Sequence, residues 1–182
     1  MKTIASICAR GGSVGVPRKN VMPLHGRPLI AHTIAQALAA PAVDAVYVST
    51  DDAQIAEVAR AHGARVPFLR PAELATGTAA KIPVIEHLCD WVERHDGPFA
   101  RIVDLDPTSP LRTVQDIESC LALLDDDTDA VITTFESEKN PYFNMVEVKP
   151  NGNVGLVCTG QGGVVARQLA PRVYSMNASI YV

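Results

Sequence analysis

A glycine-rich loop with several cations follows the first apolar run of the chain. The run Ile4–Ala9 has the length and composition of a buried strand. Glycines let backbone N–H groups turn toward a bound anion, and cations add charge at the same place. The loop therefore predicts a polyphosphate site, although it matches neither the dinucleotide pattern nor the Walker pattern. The alternative is a glycine-rich turn with solvated cations. The loop contains Arg10, Gly11, Gly12, Gly15, Arg18 and Lys19.

Two carboxylates stand at the end of a later apolar run. Asp104 and Asp106 lie two residues apart, so they share one side of an extended strand. A carboxylate at a strand end that faces a triphosphate is well placed to hold Mg²⁺. The plainer interpretation is that Asp104 pairs with a neighbouring cation and that Asp106 caps the following loop. Of the two, we favour Asp106 for the site.

Strand and helix patterns alternate over the first 134 residues. This alternation predicts an α/β fold with a mostly parallel sheet, helices on both faces and a ligand crevice at the carboxyl ends of the strands. Asp52 and Thr113 are the expected N-caps of two of the helices. The predicted strands are Ile4–Ala9, Ala45–Ser49, Ile102–Leu105 and Ala130–Thr134, and the predicted helices are Pro28–Ala40, Ala53–His62, Thr78–Arg94 and Thr113–Leu124.

The pattern changes after these elements. Tyr142–Val148 and Asn153–Cys158 flank a turn-like stretch at 149–152, which predicts a pair of antiparallel strands. Two further extended segments are predicted at Arg172–Tyr174 and Ser179–Val182. No internal repeat is present, and we expect a single domain over residues 1–182.

Composition excludes several classes of protein. The chain has 182 residues and a net charge of −4, which does not favour a nucleic-acid-binding surface. Its four cysteines are single and show no Cys-x-x-Cys pair, as expected for reduced thiols in a cytoplasmic protein. We expect no signal peptide and no membrane span, because no apolar run approaches about 20 residues.

The glycine loop also resembles a known family. Residues 9–20 read Ala-Arg-Gly-Gly-Ser-x-Gly-x-Pro-x-Lys-Asn, which is similar to the opening motif of the acylneuraminate cytidylyltransferases, the CMP-sialic acid synthetase family. Residues 105–112 resemble the family's Leu-x-Pro-Thr-Ser-Pro-Leu-Arg segment, and residues 167–168 and 177–181 resemble its Arg-Gln and Asn-Gly-x-Ile-Tyr segments. The resemblance implies a Rossmann-like nucleotidyltransferase fold. It also implies a homodimer, with residues 138–170 as a small antiparallel dimerisation extension.

The resemblance implies roles for individual residues. Arg10 and Lys19 would be catalytic, stabilising phosphate charge. Asp106 stands where the family commonly has a sugar-facing Gln, and this change indicates either altered sugar recognition or a metal ligand. The plainer interpretations are a surface cation for Arg70 and for Lys81, and core packing for Tyr181. The implied nucleotide-binding residues are Ala9, Arg10, Gly11, Gly12, Ser13, Lys19, Asn20, Arg70 and Lys81. The implied sugar-binding residues are Asp106, Ser109, Arg167, Gln168, Asn177 and Tyr181.

Some residues depart from the family pattern. Val14 stands where many members carry Lys, Gly77 where an Asp is usual, Asp106 where Gln is common, and Ala178 where Gly is usual. The family also carries a metal-binding Asp-x-Asp element further along than Val182. The resemblance therefore covers nearly all of this chain but only part of a complete member, and a truncated form is one expectation.

Together these features predict a cytoplasmic enzyme. CTP and a nine-carbon 2-keto-3-deoxy sugar acid would give a CMP-sugar and pyrophosphate, with Mg²⁺ as cofactor. One alternative is a related nucleotidyltransferase that uses GTP or acts on legionaminic or pseudaminic acid. A second is a non-catalytic nucleotide- or sugar-binding module. A Rossmann-type oxidoreductase is disfavoured by the spacing of the glycines.

Overall fold

The computed structural model describes residues 2–13, 15–159 and 164–182, so the departure at Val14 lies outside the described residues. The chain forms two compact units. The first comprises the residues up to Thr133 together with Ala178–Val182, and the second is Thr134–Asn177. The extension that was predicted over residues 138–170 lies within the second unit, and its part in dimerisation stays a prediction.

Strands and helices alternate along the first unit, as the sequence pattern predicts. The helices are α1 (Leu29–Ala39), α2 (Ala53–Ala61), α3 (Lys81–His95) and α4 (Val114–Leu123). The strands of the two units together are β1 (Thr3–Cys8), β2 (Pro23–Leu24), β3 (Arg27–Pro28), β4 (Ala45–Ser49), β5 (Arg101–Leu105), β6 (Ile132–Glu136), β7 (Val146–Val148), β8 (Val154–Leu156) and β9 (Tyr174–Tyr181). Strands β7 and β8 lie in the second unit. Strands β6 and β9 each cross from one unit into the other.

Five strands form the central sheet in the order β4-β1-β5-β9-β6. Strand β1 is parallel to both β4 and β5, whereas β9 is antiparallel to β5, with Tyr181 opposite Asp104. Because β1, β4 and β5 run in one direction, their carboxyl ends meet at one edge of the sheet. The predicted mostly parallel sheet is confirmed, and this edge receives the glycine loop and the loop after β5.

The two faces of β1 pack against different helices. Ile4 packs with Leu88 and Val92 of α3, whereas Ile7 lies in a second cluster with Ile30 of α1. Successive side chains of a strand point to opposite faces, which is why one short apolar run can fill both sides. Helices on both faces are therefore confirmed. Within the described residues, no helix is both long and apolar enough to cross a membrane.

Some boundaries differ from the sequence prediction. Helix α3 begins at Lys81 and not at Thr78, which places Pro83 in the first turn, where its missing N–H costs no intrahelical bond. Pro28 belongs to β3, because a hairpin that the sequence reading missed joins β2 to β3. The hairpin turns at His25 and Gly26, both with positive φ (47° and 77°), and a histidine gives little warning of that conformation.

The last strand also differs. The two extended segments predicted near the end of the chain are joined in one strand, β9. Ala178 lies within it at a φ of 54°, a conformation that glycine adopts at little cost and alanine does not. The family's usual glycine at this position is thereby explained.

The second unit contains the predicted antiparallel pair. Strands β7 and β8 are paired with Val148 opposite Val154, although both strands are shorter than expected. Gly152 closes the turn at a φ of 81°, and Lys149 N–H donates to the Asn153 carbonyl at 2.8 Å. A 3-10 turn follows at Arg167–Leu169.

Candidate active site

A pocket of about 550 Å³ opens in the first unit, between the glycine loop, the segment before α3 and the loop after β5. It lies at the edge of the sheet where a doubly wound fold binds its ligand. The predicted site residues that line it are Arg10, Ser13, Lys19, Asn20, Arg70, Lys81 and Asp106. The structure thus brings together residues that are as much as 96 positions apart in the sequence (10 to 106).

Close packing against the start of α2 fixes the glycine loop. Gly11 N–H donates to Asp51 Oδ1 at 2.9 Å, and a Cβ added at Gly11 would lie 2.7 Å from Asp52 Oδ2. Ser13 N–H donates to the Gly11 carbonyl at 3.0 Å. The N–H groups of Gly11 and Ser13 are thus bonded within the chain, which argues against the expected use of both as phosphate donors.

The cations of the loop divide into two kinds. Arg18 pairs with Asp52 at 3.1 Å and also contacts Gln54, so it ties the loop to α2. Arg10 and Lys19 line the pocket, and no ion pair within the described residues involves either of them. Arg10 is oriented by a bond from Nη1 to the Thr76 carbonyl at 2.7 Å. This leaves two positive charges for an anionic ligand.

Asn20 is a buried residue that stabilises the glycine loop. It is 2 % exposed, and its Nδ2 donates to the Arg10 carbonyl at 3.1 Å. That bond sets the position of the backbone that carries the Arg10 side chain. Ala9, also expected to contact the nucleotide, is buried under the loop, and its N–H donates to the Ser49 carbonyl at 3.0 Å.

Arg70 lines the pocket but is not a surface cation. It is 7 % exposed, and its Nε donates to Ser49 Oγ at 3.1 Å while Nη2 donates to the Ser49 carbonyl. Burial lowers the pKa of Arg70 below its ordinary value. The guanidinium therefore joins the end of β4 to the pocket wall.

An ion pair between Lys81 and Asp104 lies beside the pocket. Asp104 is 2 % exposed; its Oδ1 accepts from Ser6 Oγ at 2.6 Å, and its Oδ2 faces Lys81 Nζ. Burial acts to lower the pKa of Lys81, but the attraction of Asp104, with a smaller part from Asp106, outweighs it and raises the pKa. The pairing considered for Asp104 in the sequence is confirmed, and Lys81 is not a plain surface lysine.

Cys8 lines the same pocket with an uncharged side chain. Burial, reinforced by Asp104, raises the pKa of its thiol to about 12. The thiol is therefore protonated at neutral pH. It lines the pocket and has the character of a small apolar group.

Asp106 is the one carboxylate among the pocket-lining residues. Its Oδ1 accepts from Thr108 N–H at 2.8 Å and from Thr108 Oγ1, so the loop-capping role is present. No group of three or more potential metal ligands occurs among the described residues. A single carboxylate still fits a Mg²⁺ ion that takes its other ligands from phosphates and water.

Comparison with known proteins decides the family. A protein-family model described as cytidylyltransferase matches residues 4–162. The chain belongs to the cytidylyltransferase family. It is 39 % identical over 181 residues to a CMP-N,N′-diacetyllegionaminic acid synthase of Campylobacter jejuni, covering 98 % of this chain and 76 % of that protein. It is 33 % identical over 190 residues to the synthase of the same name from Legionella pneumophila, covering 100 % and 78 %.

A solved structure agrees on the fold. It is a CMP:2-keto-3-deoxy-manno-octonic acid synthetase complexed with CTP, with a TM-score of 0.68, 20 % identity, and coverage of 100 % of this chain and 73 % of that one. The resemblance to the acylneuraminate cytidylyltransferases is confirmed, and this cytidylyltransferase is a nucleotidyltransferase. Family membership decides against the oxidoreductase alternative.

The remaining predicted residues lie elsewhere in this cytidylyltransferase. Gly12, Ser109 and Tyr181 are not among the pocket-lining residues. Ser109 N–H donates to the Asp106 carbonyl at 3.3 Å, and the Tyr181 ring lies 4.8 Å from Lys81 Nζ. Arg167, Gln168 and Asn177 belong to the second unit, where Arg167 Nη2 donates to the Glu138 carbonyl at 3.2 Å. The sugar contacts expected of these residues stay predictions.

Sequence reasoning missed the part played by Arg112. Its guanidinium, 7 % exposed, donates to the Ser179 carbonyl and to Thr33 Oγ1 at 3.1 Å. Burial lowers its pKa to about 10, against the attraction of Asp106 and other acids. Arg112 therefore fixes the loop that carries Asp106. The only signal was its place at the end of the motif at residues 105–112.

Proposed function

We propose that this cytidylyltransferase transfers the CMP group of CTP to a nine-carbon 2-keto-3-deoxy sugar acid, giving a CMP-sugar and pyrophosphate. The observation that carries the proposal is the pocket, in which Arg10 and Lys19 face a cavity with Asp106 on another wall. The two relatives that match nearly the whole chain are named as synthases of a CMP-sugar acid. They support the reaction class and the nucleotide.

The chemistry needs few reacting groups from the protein. The anomeric hydroxyl of the sugar acid attacks the α-phosphorus and the new O–P bond forms. The bond from that phosphorus to the oxygen that joins it to the β-phosphorus breaks, and this oxygen leaves with the pyrophosphate. The hydroxyl proton is released and the leaving group departs as pyrophosphate. Arg10 and Lys19 stabilise the charge that develops on the phosphate oxygens, and the loop holds them in position beforehand.

Magnesium belongs to this proposal. Asp106 is the pocket carboxylate that would hold it. When bound, the ion neutralises phosphate charge. The two hydrogen bonds that Thr108 donates to Asp106, from its N–H and its Oγ1, both go to Oδ1.

For the sugar acid, we propose N,N′-diacetyllegionaminic acid. The support is the activity after which the two relatives above are named, each matched over almost the whole of this chain. An Asp at position 106, where the sialic acid enzymes commonly have Gln, is consistent with a changed sugar pocket.

Pyrophosphate release tests the proposal. CTP and GTP are each combined with N,N′-diacetyllegionaminic, pseudaminic and N-acetylneuraminic acids in the presence of Mg²⁺. We expect release with CTP and the legionaminic acid, and little with GTP. Release with GTP alone would contradict CTP as the nucleotide. Release with another sugar acid alone would contradict N,N′-diacetyllegionaminic acid as the substrate. CTP binding without release from any pair would favour the non-catalytic binding module.

A homodimer and a cytoplasmic location complete the proposal. The second unit exposes large apolar side chains, among them Phe135 at 54 %, Val148 at 75 % and Val154 at 65 %. Val148 and Val154 are opposite each other on the paired strands, and adjacent exposed apolar side chains of this kind support an interface with a second copy of the chain. The four cysteines are free thiols, as is usual in the reducing cytoplasm, where CTP is also found.

A further inference from the structure

The ion pair of Lys81 and Asp104 joins a pocket-lining lysine to a buried carboxylate. The Asp104 side chain is 3 % exposed and that of Lys81 is 37 % exposed. Asp104 uses both oxygens within the chain, Oδ1 for the buried Ser6 hydroxyl and Oδ2 for Lys81. The carboxylate therefore cannot turn without breaking one of the two contacts.

An aromatic ring holds the same ammonium from a second strand. Lys81 Nζ lies 4.8 Å from the centre of the Tyr181 ring, a distance at which a cation is attracted to the ring face. Tyr181 is opposite Asp104 in the sheet. Two adjacent strands, β5 and β9, thus fix the ammonium, while Lys81 also lines the pocket.

Pairing with Asp104 determines whether Lys81 acts on a ligand as a positive charge or as a hydrogen-bond donor. An ammonium has three donors and no acceptor, so pairing with Asp104 leaves donors for other partners. The paired carboxylate offsets its charge, which makes it a directed donor and not a source of net positive charge. Arg10 and Lys19 have no ion pair within the described residues and are better suited to phosphates.

We propose that Asp104 is a positioning residue that holds Lys81 as a hydrogen-bond donor to an uncharged acceptor on the base or ribose of the bound nucleotide. The inference rests on the proposed function for the identity of that nucleotide. Ser6 supports it by orienting the carboxylate, at an Oγ–Oδ1 distance of 2.6 Å.

Binding of CTP and of cytidine, which has the base and ribose but no phosphate, tests the proposal when measured by calorimetry. Lys81→Met removes the donor, and we expect it to raise the Kd of both ligands by a similar factor of about ten, the size of one lost hydrogen bond. A loss confined to CTP would mean that Lys81 contacts a phosphate group and would overturn the proposal.

A double-mutant cycle then tests Asp104 itself. Asp104→Asn keeps the shape of the side chain but removes the negative charge that holds the ammonium, so we expect a rise of about tenfold in Kd when Lys81 is present. In the Lys81→Met background the same change should have no further effect on Kd. Equal losses in both backgrounds, or no loss in either, would overturn the positioning role.

Two further variants keep the test decisive. Asp90→Asn breaks the exposed Arg94–Asp90 pair on the same helix and should leave both Kd values unchanged. If Asp104→Asn does not fold, Ser6→Ala replaces it, and its smaller rise in Kd should again vanish in the Lys81→Met background; an equal loss there would contradict the proposal. If CTP binds but no sugar acid releases pyrophosphate, the proposed function fails while the cycle still decides the part of Asp104.

Discussion

At the scale of single residues, the cations around the pocket differ in whether the protein already neutralises or fixes them. Arg18 and Lys81 are paired with carboxylates, and Arg70 and Arg112 are bonded to carbonyl and hydroxyl oxygens. All are arginines or lysines near glycine or proline in the sequence, so residue type alone does not separate them from Arg10 and Lys19. Their partners do.

Lys19→Ala should abolish turnover with little change in stability. Lys19 lines the pocket, and no ion pair within the described residues involves it. Loss of one charge that stabilises the transition state commonly costs a factor of about 10² to 10³ in kcat. Pyrophosphate release and thermal unfolding measure the two effects. Arg94→Ala, which removes an exposed cation on α3, is the control and should keep full turnover. Unchanged turnover in the Lys19 variant would remove this residue from the mechanism.

Gly11→Ala should destabilise the loop. Its new Cβ would approach Asp52 Oδ2 to 2.7 Å and Asp52 Cβ to 2.9 Å, and overpacking of this kind costs roughly 1–3 kcal/mol. Gly12→Ala is the matched control, since nothing lies within 4 Å of a Cβ at that position. Denaturant unfolding of both variants should show the loss at Gly11 alone, and equal stabilities would contradict the close approach.

At the scale of elements, the helices around the pocket begin in different ways. The N-terminus of α2 is capped by Asp52, which accepts from the N–H groups of Gln54 and Ile55. That of α4 has a capping box formed by Thr113 and Asp116. Helix α3 begins after Ala80, whose methyl group cannot accept a hydrogen bond and so cannot cap the helix. The two predicted caps are confirmed, because cap residues act over two or three positions and are visible in the sequence.

Asp52→Ala should lower the free energy of unfolding by about 1 kcal/mol, the usual value of an N-cap. Burial acts to raise the pKa of Asp52, but bonds from Ile55, Arg18 and Gln54 outweigh it and lower the pKa. A lowered folded-state pKa gives stability that is present above the unfolded pKa of about 3.9 and is lost as the pH falls through the folded value.

The difference between the wild type and this variant should therefore be full at pH 7 and shrink below about pH 4. Urea unfolding across this range measures it. Glu57→Ala, an exposed acid on the same helix, is the control and should show no comparable loss. A difference that grows as the pH falls would contradict the capping role.

At the scale of the whole molecule, the two units differ in how much apolar surface they bury. The first unit contains both apolar core clusters. The second exposes Val146, Val148 and Val154 on its hairpin, at 61 %, 75 % and 65 %. Such a hairpin gains stability when another surface covers it, which is the basis of the proposed homodimer.

Val148→Lys combined with Val154→Lys should shift the proposed dimer toward monomer. The two valines are opposite each other on β7 and β8, so two like charges would stand side by side on the apolar surface. Light scattering at micromolar concentration measures the mass. Leu111→Lys, at a residue 93 % exposed in the first unit, is the control and should leave the mass unchanged. A wild-type monomer, or a dimer that survives the double change, would contradict the use of this hairpin.

The sequence by itself determined the alternation of elements, the two caps, the glycine loop and the family motif. These signals are local, since apolar periodicity, cap residues and motif spacing act over a few positions. The β2–β3 hairpin was not predicted, because His25 adopts a positive φ that few histidines adopt.

Only the tertiary structure decided which charges are paired. Ser6, Lys81 and Asp104 come from three distant segments and meet because β1 and β5 are adjacent and α3 packs on them. Likewise, Arg112 reaches Thr33 and Ser179 across the fold. Such contacts depend on the distances between elements after packing, which the order of residues does not state. For this reason the sequence indicated the pocket, and the structure showed which of the cations near it are paired with carboxylates or buried.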